Sequence, residues 1–548
     1  MTPDVAPAPP RRTPGRPRPA PGPARAGRGG VDRVRAAVWR NGLWVPVGAV
    51  ALGVLVPLGY LAARALAADP DLLADLVLRG RTLRLAANTV GLTAAVLAST
   101  TALALPLAWL VARADLPARR LFTVLGALPL AVPGYVMAYA LLAATGPTGL
   151  AADLAGVEVP RPGGFVGAWL ALTLTLFPYL FLGLRAALLG LDPALDDAAR
   201  TLGAGAGRRA WTVVLPQLRP ALLAGGLLVG LHVLGDFGVV SLMRFETFSF
   251  AIYLQYTAAY DRVYAAALAL MLLALTGALL WGEARLLRGR RFVRVGAGAA
   301  RRPPRVRLGA GRWVAAAFAG AVAVLSVGIP VGAALFWAGR GLEAGVWGDL
   351  ATALGDSVSA ALPAALVAAA LAVPVAVLGV RRPSRAAAAA ERVAYLGYAT
   401  PPLAFALALV FVSVRVLPWA YQTLGLLVAA YALHFLAEAL GPVRTALYQA
   451  SARAEEAART LGRGPLRAFA EATLPTLRRG LGVSVALVFL SAIKELPIAF
   501  LLSPLGFESL ALRSWAAAGE SLFAVAAPYA LALVAVSTPL VALALRER

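Results

Sequence analysis

The sequence predicts an all-α polytopic membrane protein with about 12 transmembrane helices, arranged as two homologous halves of six spans each. Three observations predict this fold class. Of the 548 residues, 60% are hydrophobic and 14% are charged, and the mean hydropathy is +0.75, which is too apolar for a protein whose surface faces water. Apolar runs of about 20 residues, the length that crosses a bilayer, recur along the chain. A polar stretch of 24 residues also appears twice, at residues 196–219 and 455–478, with 12 identical positions at an offset of 259.

The first 42 residues are rich in Pro, Arg, Gly and Ala and contain almost no large apolar side chain. A segment of this composition cannot bury enough surface to become ordered, so we expect a disordered basic cytoplasmic tail at residues 1–42. We do not expect a cleaved signal peptide, because the first apolar run begins near Leu43 and is too long for the apolar core of a signal.

Twelve apolar runs follow the tail, and each is long enough to span hydrocarbon. They lie at roughly 43–63, 88–112, 121–145, 165–190, 220–243, 263–284, 313–337, 357–380, 393–415, 421–441, 480–503 and 522–545.

Arginine placement assigns a side of the membrane to the loops, because positive charge resists translocation. Ten arginines lie within residues 285–312 and four within residues 381–392, and both copies of the repeated stretch are basic. We therefore expect a multi-pass membrane protein in which these segments and both termini lie in the cytoplasm.

The duplication covers more than the repeated stretch. Asn88-Thr89-Val90 aligns with Asp356-Ser357-Val358 at an offset of 268. These landmarks predict a first half at residues 43–287 and a second half at 313–548, joined by a basic cytoplasmic linker at 288–312. Two halves of the same orientation predict a pseudo-twofold axis along the membrane normal.

Composition excludes several classes of function. The chain has no cysteine, so disulfides, thiolate metal sites and cysteine nucleophiles are absent. Lys494 is the only lysine and is followed by Glu495, whereas a Walker A loop needs Gly-Lys-Ser/Thr, so if ATP drives this protein, another chain binds it. The net charge of +24 is spread over short segments between apolar runs, which argues against a nucleic-acid partner.

Each copy of the repeated stretch predicts a helix, a glycine turn and a second short helix. The first helix carries acidic residues early, which suits the positive end of its dipole. Gly203 and Gly462 follow the helices and suit a left-handed C-terminal turn. In each copy a Leu-Pro pair then ends the second short helix, before the next apolar run.

The pattern acid-Ala-Ala, Gly and Leu-Pro, between the fourth and fifth spans of a six-span unit, resembles the EAA loop of the permease subunits of bacterial ABC importers. In that family the loop docks into a groove on the ATP-binding subunit, and the resemblance implies a type I importer fold. The docking residues it implies are Asp197, Ala198, Ala199 and Gly203, with Glu456, Ala457, Ala458 and Gly462. Asp197 replaces the usual Glu and keeps the charge. The alternative is an amphipathic loop helix with a merely structural glycine turn.

Four polar residues within apolar runs are candidates for a translocation path or gate. Asp236 and Glu495 are equivalent at the 259 offset, and we place each about midway along a span, where a carboxylate normally faces a partner, the bundle interior or water. His232 precedes Asp236 by four residues. Lys494 is a candidate ion-pair partner of Asp236 across the two halves. The alternative is a buried ion pair or packing contact outside the path, and we assign no metal-ligand set.

Residues 232–256 (HVLGDFGVVSLMRFETFSFAIYLQY) resemble the Asp/Glu-Phe-Gly segment of the fused two-halved ferric-iron permeases, and Lys494-Glu495-Leu496-Pro497 resembles the corresponding part of their second half. The resemblance implies a bacterial inner-membrane importer of ferric iron. A periplasmic or lipoprotein binding protein would deliver the iron, and two copies of a separate ABC ATPase would bind ATP and Mg. This chain would carry no cofactor and no enzymatic activity. Import of thiamine, phosphonate or another small solute is an alternative, and a secondary transporter or channel that does not use ATP is a more distant one.

Overall fold

A computed structural model describes residues 41–67, 69–191, 193–258, 261–287, 305–341 and 345–546. The predicted tail lies outside these residues except for 41–42, and so does the predicted linker except for 305–312. Regular structure in the described part of the chain is helical, apart from one isolated parallel bridge between Ala114 and Val306. The predicted all-α fold class is confirmed.

The helices of the first half are numbered here in chain order. They are α1 (Trp44–Leu66), α2 (Pro70–Leu78), α3 (Gly80–Arg113), α4 (Arg119–Ala127) with a 3-10 turn (Leu128–Ala131), α5 (Gly134–Ala144), α6 (Leu150–Ala155), α7 (Gly164–Gly190), α8 (Pro193–Thr201), α9 (Ala206–Arg209) with a π turn (Ala210–Val214), α10 (Leu215–Gly235), α11 (Gly238–Leu242), α12 (Phe248–Thr257) and α13 (Arg262–Leu287).

The second half repeats most of this order. Its helices are α14 (Gly311–Ala323) with a π turn (Val324–Gly328), α15 (Ile329–Gly341), α16 (Val346–Arg381), α17 (Arg385–Ala399), α18 (Pro402–Val416), α19 (Leu424–His434), α20 (Leu436–Gln449), α21 (Ala452–Thr460), α22 (Pro465–Ala468) with a π turn (Phe469–Thr473), α23 (Leu474–Ile493), α24 (Pro497–Leu502), α25 (Leu510–Gly519) and α26 (Phe523–Arg546).

The predicted number of spans is reached only when bent helix pairs are included. By length and composition, nine helices among the described residues could cross a membrane, and three further pairs pass the same test together, bent by 99°, 105° and 54°. The first pair is α4 with α5 and the second is α17 with α18. Pro133 directly precedes α5 and Pro401 directly precedes α18; proline disfavours helical geometry in the residue before it, so each predicted span is interrupted there.

The two halves attach their outer helices in the same way, on the side opposite to the repeated stretch. Phe248 N–H, at the first residue of α12, donates to Thr89 Oγ1 at 3.1 Å, and Leu510 N–H, at the first residue of α25, donates to Ser357 Oγ at 2.9 Å. Both hydroxyl side chains are buried. The alignment of Thr89 with Ser357 is thereby confirmed, since each satisfies a helix amide that would otherwise lack a partner.

The halves interlock through their first helices. Helix α1 packs against α17 and α18 of the second half, and α15 packs against α5 of the first. Trp337 of α15 donates its indole N–H to Ala143 O of α5 at 2.8 Å. Gly397 permits the close approach of α1 to α17, because a Cβ there would lie 3.3 Å from Val54 Cγ2 and 3.1 Å from Leu433 O. The interface between the halves is therefore continuous with the core.

Candidate functional site

The repeated stretch forms the predicted helix, glycine turn and helix in both halves. Gly203 has a φ of +78° and Gly462 a φ of +83°. In the first copy, Gly203 N–H donates to Arg200 O and Ala204 N–H to Ala199 O, both at 3.0 Å, and the equivalent pair of bonds closes α21. This is a Schellman motif, in which the left-handed residue is most often glycine because a Cβ would be strained. A π turn follows at equivalent positions in both copies. We call these two segments, residues 193–214 and 452–473, the docking loops.

The implied docking residues are accessible. Asp197, Ala198, Glu456 and Ala457 are exposed, Ala199 and Ala458 are half-buried, and both turn glycines are exposed. Among the loop side chains whose exposure is described, the leucine before each glycine is the most exposed large apolar residue, with 87% of Leu202 and 83% of Leu461 accessible. A large apolar side chain held in water at a rigid turn is suited to a partner's pocket. The docking role of these residues stays a prediction.

The two docking loops differ in their internal contacts. In the second loop, Glu471 pairs with Arg463 at 3.2 Å and with Arg467 at 2.7 Å, and Thr473 Oγ1 donates to Glu455 at 3.1 Å. The first loop has Thr212 at the position of Glu471, so it lacks this acid. It instead exposes Trp211, of which 73% is accessible.

Asp236 and Glu495 do not lie midway along continuous spans, which corrects the sequence-based placement. Helix α10 ends at Gly235 and α23 at Ile493, and each carboxylate caps the short helix that follows. Val239 N–H donates to Asp236 Oδ1 at 2.9 Å, and Ile498 N–H donates to Glu495 Oε1 at 3.0 Å. The break leaves helix amides without partners inside the apolar core, and a carboxylate three residues earlier satisfies them.

A cavity of about 190 Å³, lined by both polar and apolar residues, lies between the halves at these two breaks; we call it the chamber. All four candidate path residues line it: His232, Asp236, Lys494 and Glu495. The chamber also contains polar side chains that the sequence analysis did not assign to the path: Tyr135, Thr175, Tyr179, Tyr398, His434, Glu438 and Ser491. The sequence did contain a signal for Glu438. It is a carboxylate within an apolar run, and it aligns with Tyr179 at the offset of 259.

Two equivalent hydrogen bonds flank the chamber. Tyr179 Oη lies 3.0 Å from His232 Nε2, and Ser491 Oγ donates to Glu438 Oε2 at 2.7 Å. Tyr179 corresponds to Glu438 and His232 to Ser491, both at an offset of 259. Each half therefore forms one such pair, and only the second half places a carboxylate in it.

His232 is committed to hydrogen bonds within its own half. Its Nδ1 lies 2.8 Å from Leu228 O, and because a carbonyl only accepts, Nδ1 carries the proton. In the neutral ring, Nε2 then accepts from the Tyr179 hydroxyl. Across the described residues there is no group of three or more His, Asp or Glu side chains arranged to hold a metal ion. His232 therefore lines the chamber with both of its ring nitrogens engaged in hydrogen bonds.

Lys494 does not form the expected ion pair with Asp236. Its Nζ donates to Leu130 O in the 3-10 turn of the first half, at 3.0 Å, and no Lys494–Asp236 ion pair within 4.0 Å occurs among the described residues. The cause is the position of Lys494 at the C-cap of α23. From the end of the helix, its side chain reaches the 3-10 turn between α4 and α5.

A second, largely apolar cavity of about 1090 Å³ continues from the chamber toward the docking loops; we call it the vestibule. Along α10, Ala221 and Ala224 line the vestibule, whereas His232 and Gly235 line the chamber. Leu130, Tyr179, Tyr398, Glu438, Ser491 and Lys494 are among the residues that line both, and we call this boundary the neck. The two cavities together therefore extend from the helix breaks toward the docking loops.

Four aromatic rings from both halves pack together on the side of the chamber opposite to the docking loops, around Phe237, which lines the chamber. Phe237 and Tyr253 come from the first half, and Phe500 and Trp515 from the second. The ring centroid of Phe237 lies 4.9 Å from that of Tyr253 and 5.3 Å from that of Trp515. The ring centroid of Phe500 lies 5.2 Å from that of Tyr253 and 5.6 Å from that of Trp515. We call these rings the outer aromatic cluster. The vestibule lies on the docking-loop side of the chamber, and the outer aromatic cluster lies on the opposite side.

Comparison with known proteins matches the chain twice to one family, described as "Binding-protein-dependent transport system inner membrane component", at residues 104–290 and 361–546. The Fe(3+)-transport system permease protein FbpB 2 of Haemophilus influenzae is 30% identical over 505 residues, which cover 91% of this chain and 96% of that protein.

Other relatives match a shorter part of the chain. The molybdenum transport system permease protein ModB of Escherichia coli is 36% identical over 135 residues, which are 24% of this chain and 58% of that protein. The sulfate transport system permease protein CysT of Escherichia coli is 33% identical over 135 residues, which are 24% of this chain and 49% of that protein.

Proposed function

The chain belongs to the family of binding-protein-dependent transport system inner membrane components, and we propose that it is the permease of an ATP-driven importer of ferric iron. The permease class rests on the two family matches, which together cover both halves. The iron assignment rests on the relative that is similar along almost the whole chain and whose name specifies Fe(3+) transport.

The charge of the chamber supports a cationic cargo over an anionic one. Asp236, Glu438 and Glu495 face a single ammonium, that of Lys494, so three carboxylates and one ammonium sum to a formal charge of −2 with both histidines neutral. Sulfate, which the name of another relative specifies, is a dianion and would be repelled. In a partly desolvated cavity such charges act over several ångströms with little screening.

We assign one ATPase subunit to each docking loop, and therefore two copies per permease, with ATP and Mg bound by those subunits. The loops, both termini and the vestibule then face the cytoplasm. A periplasmic or lipoprotein binding protein delivers iron to the outer side. The exposed Leu202 and Leu461 and the equivalent Schellman turns support the two-site docking.

The mechanism follows from this arrangement. ATP binding draws the two ATPase subunits together, the docking loops move with them, and the halves rotate about the interface that contains the chamber. The outer aromatic cluster then separates while the vestibule narrows, so iron enters from the binding protein. ATP hydrolysis restores the inward-facing arrangement and releases the cargo.

Uptake into proteoliposomes tests the proposal. The permease is co-purified with the ATPase from its own host, reconstituted, and supplied with the host's binding protein loaded with radioactive ferric iron. We expect uptake that requires ATP and the binding protein, and no uptake of radioactive sulfate. Uptake of sulfate in place of iron would overturn the cargo assignment, and a permease that purifies alone and transports without ATP would overturn the importer class.

A further inference from the structure

Lys494 occupies a singular position on the path. It is the only lysine of the chain, and it lines both the chamber and the vestibule, at the neck. The equivalent residue of the first half is Gly235, at the 259 offset, which has no side chain. The neck therefore carries one ammonium, supplied by the second half alone.

The ammonium is held loosely. Its one hydrogen bond among the described residues goes to Leu130 O, at 3.0 Å, although an ammonium has three N–H donors. The charges of Glu438 and Glu495 act on it, but neither carboxylate lies within the 4.0 Å of a direct ion pair in the described part of the chain. Its backbone, by contrast, is held across the halves, because Tyr135 Oη donates to Lys494 O at 3.2 Å. The side chain can move without a change in the helix break.

The surrounding groups can still accept a cation. Asp236 and Glu495 each use one carboxylate oxygen for a helix cap, and their second oxygens have no donor among the described residues. His434, only 3% exposed, also lines the chamber, and its Nδ1 has no hydrogen-bond partner there. These groups do not form a ready metal site, but they surround a space in which positive charge is favoured.

We propose that Lys494 is a tethered counter-ion that limits how tightly the chamber retains its cargo. In the empty permease its ammonium, at the neck, offsets part of the negative charge of the chamber. Repulsion between this ammonium and an entering cation then weakens the retention of the cation in the chamber. A path must bind its ion strongly enough for entry and weakly enough for exit, and Lys494 sets this balance. The inference rests on the proposed cationic cargo.

Equilibrium binding of gallium(III), a trivalent cation without redox chemistry, tests it on the full-length permease in lipid nanodiscs, with gallium supplied as its nitrilotriacetate complex. Lys494→Gln removes the charge but keeps a donor for Leu130 O, and Lys494→Arg keeps the charge. We expect Lys494→Gln to retain gallium about tenfold more tightly than the wild type or more, and Lys494→Arg to remain close to the wild type. Adding Glu438→Gln to Lys494→Gln should remove most of the gain.

Misfolded protein could bind gallium non-specifically through exposed carboxylates, but such binding would not depend on Glu438, so the double variant with Glu438→Gln separates it from a gain in the chamber. Equal retention by the wild type and Lys494→Gln would overturn the proposal, and so would equal gains in Lys494→Gln and Lys494→Arg. The measurement needs neither ATP nor a binding protein. Failure of iron uptake by the wild-type complex would therefore count against the proposed function alone, while the gallium result decides the role of Lys494.

Discussion

The indole N–H of Trp515, in the second half, donates to the hydroxyl oxygen of Ser241, in the first half, at 3.0 Å. The same tryptophan packs against Phe237, the residue that follows the chamber carboxylate Asp236. One side chain thus joins the two halves beside Phe237, which lines the chamber. Separation of the halves on the outer side must break this hydrogen bond.

Trp515→Ala should open the chamber to the outside, because it removes both the hydrogen bond and three ring contacts of the outer aromatic cluster. The chain has no cysteine, so Val132→Cys, in the chamber wall, gives a labelling site without background. We expect a membrane-impermeant maleimide added outside to label Val132→Cys slowly, and about tenfold faster when Trp515→Ala is added.

Trp347→Ala is the matched control, because Trp347 lies near the start of α16, on the outer side, and is 63% exposed. It should leave the labelling rate unchanged. Rapid labelling of Val132→Cys from the outside in an otherwise unaltered chain would show that the outer aromatic cluster does not close the path.

Gly462→Val should abolish the ATPase activity that is coupled to transport. Gly462 has a φ of +83°, and a β-branched residue there is strained by about 1–2 kcal/mol, so the docking turn would rearrange. Gly464→Val is the control: Gly464 has a φ of −64°, and a Cβ at either glycine would meet no atom within 4 Å. ATPase activity stimulated by the binding protein is the measurement. Equal activities of the two variants would mean that the left-handed turn is unimportant for coupling.

Leu461→Ser should weaken binding of the ATPase subunit by about 1–3 kcal/mol, as expected for an apolar anchor at the centre of an interface. Leu505→Ser makes the same change at a residue that is 87% exposed, on the outer side between α24 and α25, and should leave the affinity unchanged. Surface plasmon resonance with the purified ATPase measures both. If Leu505→Ser were the variant that lost affinity, the proposed orientation would be reversed.

Asp236→Asn and Asp236→Ala distinguish a role of this chamber carboxylate in transport from a role in helix capping alone. The amide oxygen of Asn can still accept from Val239 N–H, so Asp236→Asn should keep thermal stability, whereas Asp236→Ala removes the cap and should cost about 1 kcal/mol. Both remove the negative charge and should reduce iron uptake several-fold. Normal uptake by a stable Asp236→Asn protein would assign this carboxylate to helix capping alone. Thermal unfolding and uptake are measured on the same preparations.

Local spacing and internal repetition were sufficient for several features of this protein. The acid-Ala-Ala-Gly pattern predicted the turn at Gly203 and Gly462, because a helix C-terminus in left-handed geometry depends on neighbouring residues only. The offset of 268 predicted the equivalence of Thr89 and Ser357. His232, Asp236, Lys494 and Glu495 line one cavity, as polar residues in apolar runs are expected to face the interior, while their role in a path stays a prediction.

The sequence by itself therefore determined the all-α membrane fold, the duplication, and the helix, glycine turn and helix of each repeated stretch. The tertiary structure decided what the polar residues contact. It made Asp236 and Glu495 caps at helix breaks, directed Lys494 to Leu130 O and not to Asp236, and added Glu438 to the chamber. The reason is distance along the chain. Lys494 and Leu130 are 364 residues apart, and only the packing of the two halves, which no local pattern encodes, brings their atoms within 3.0 Å.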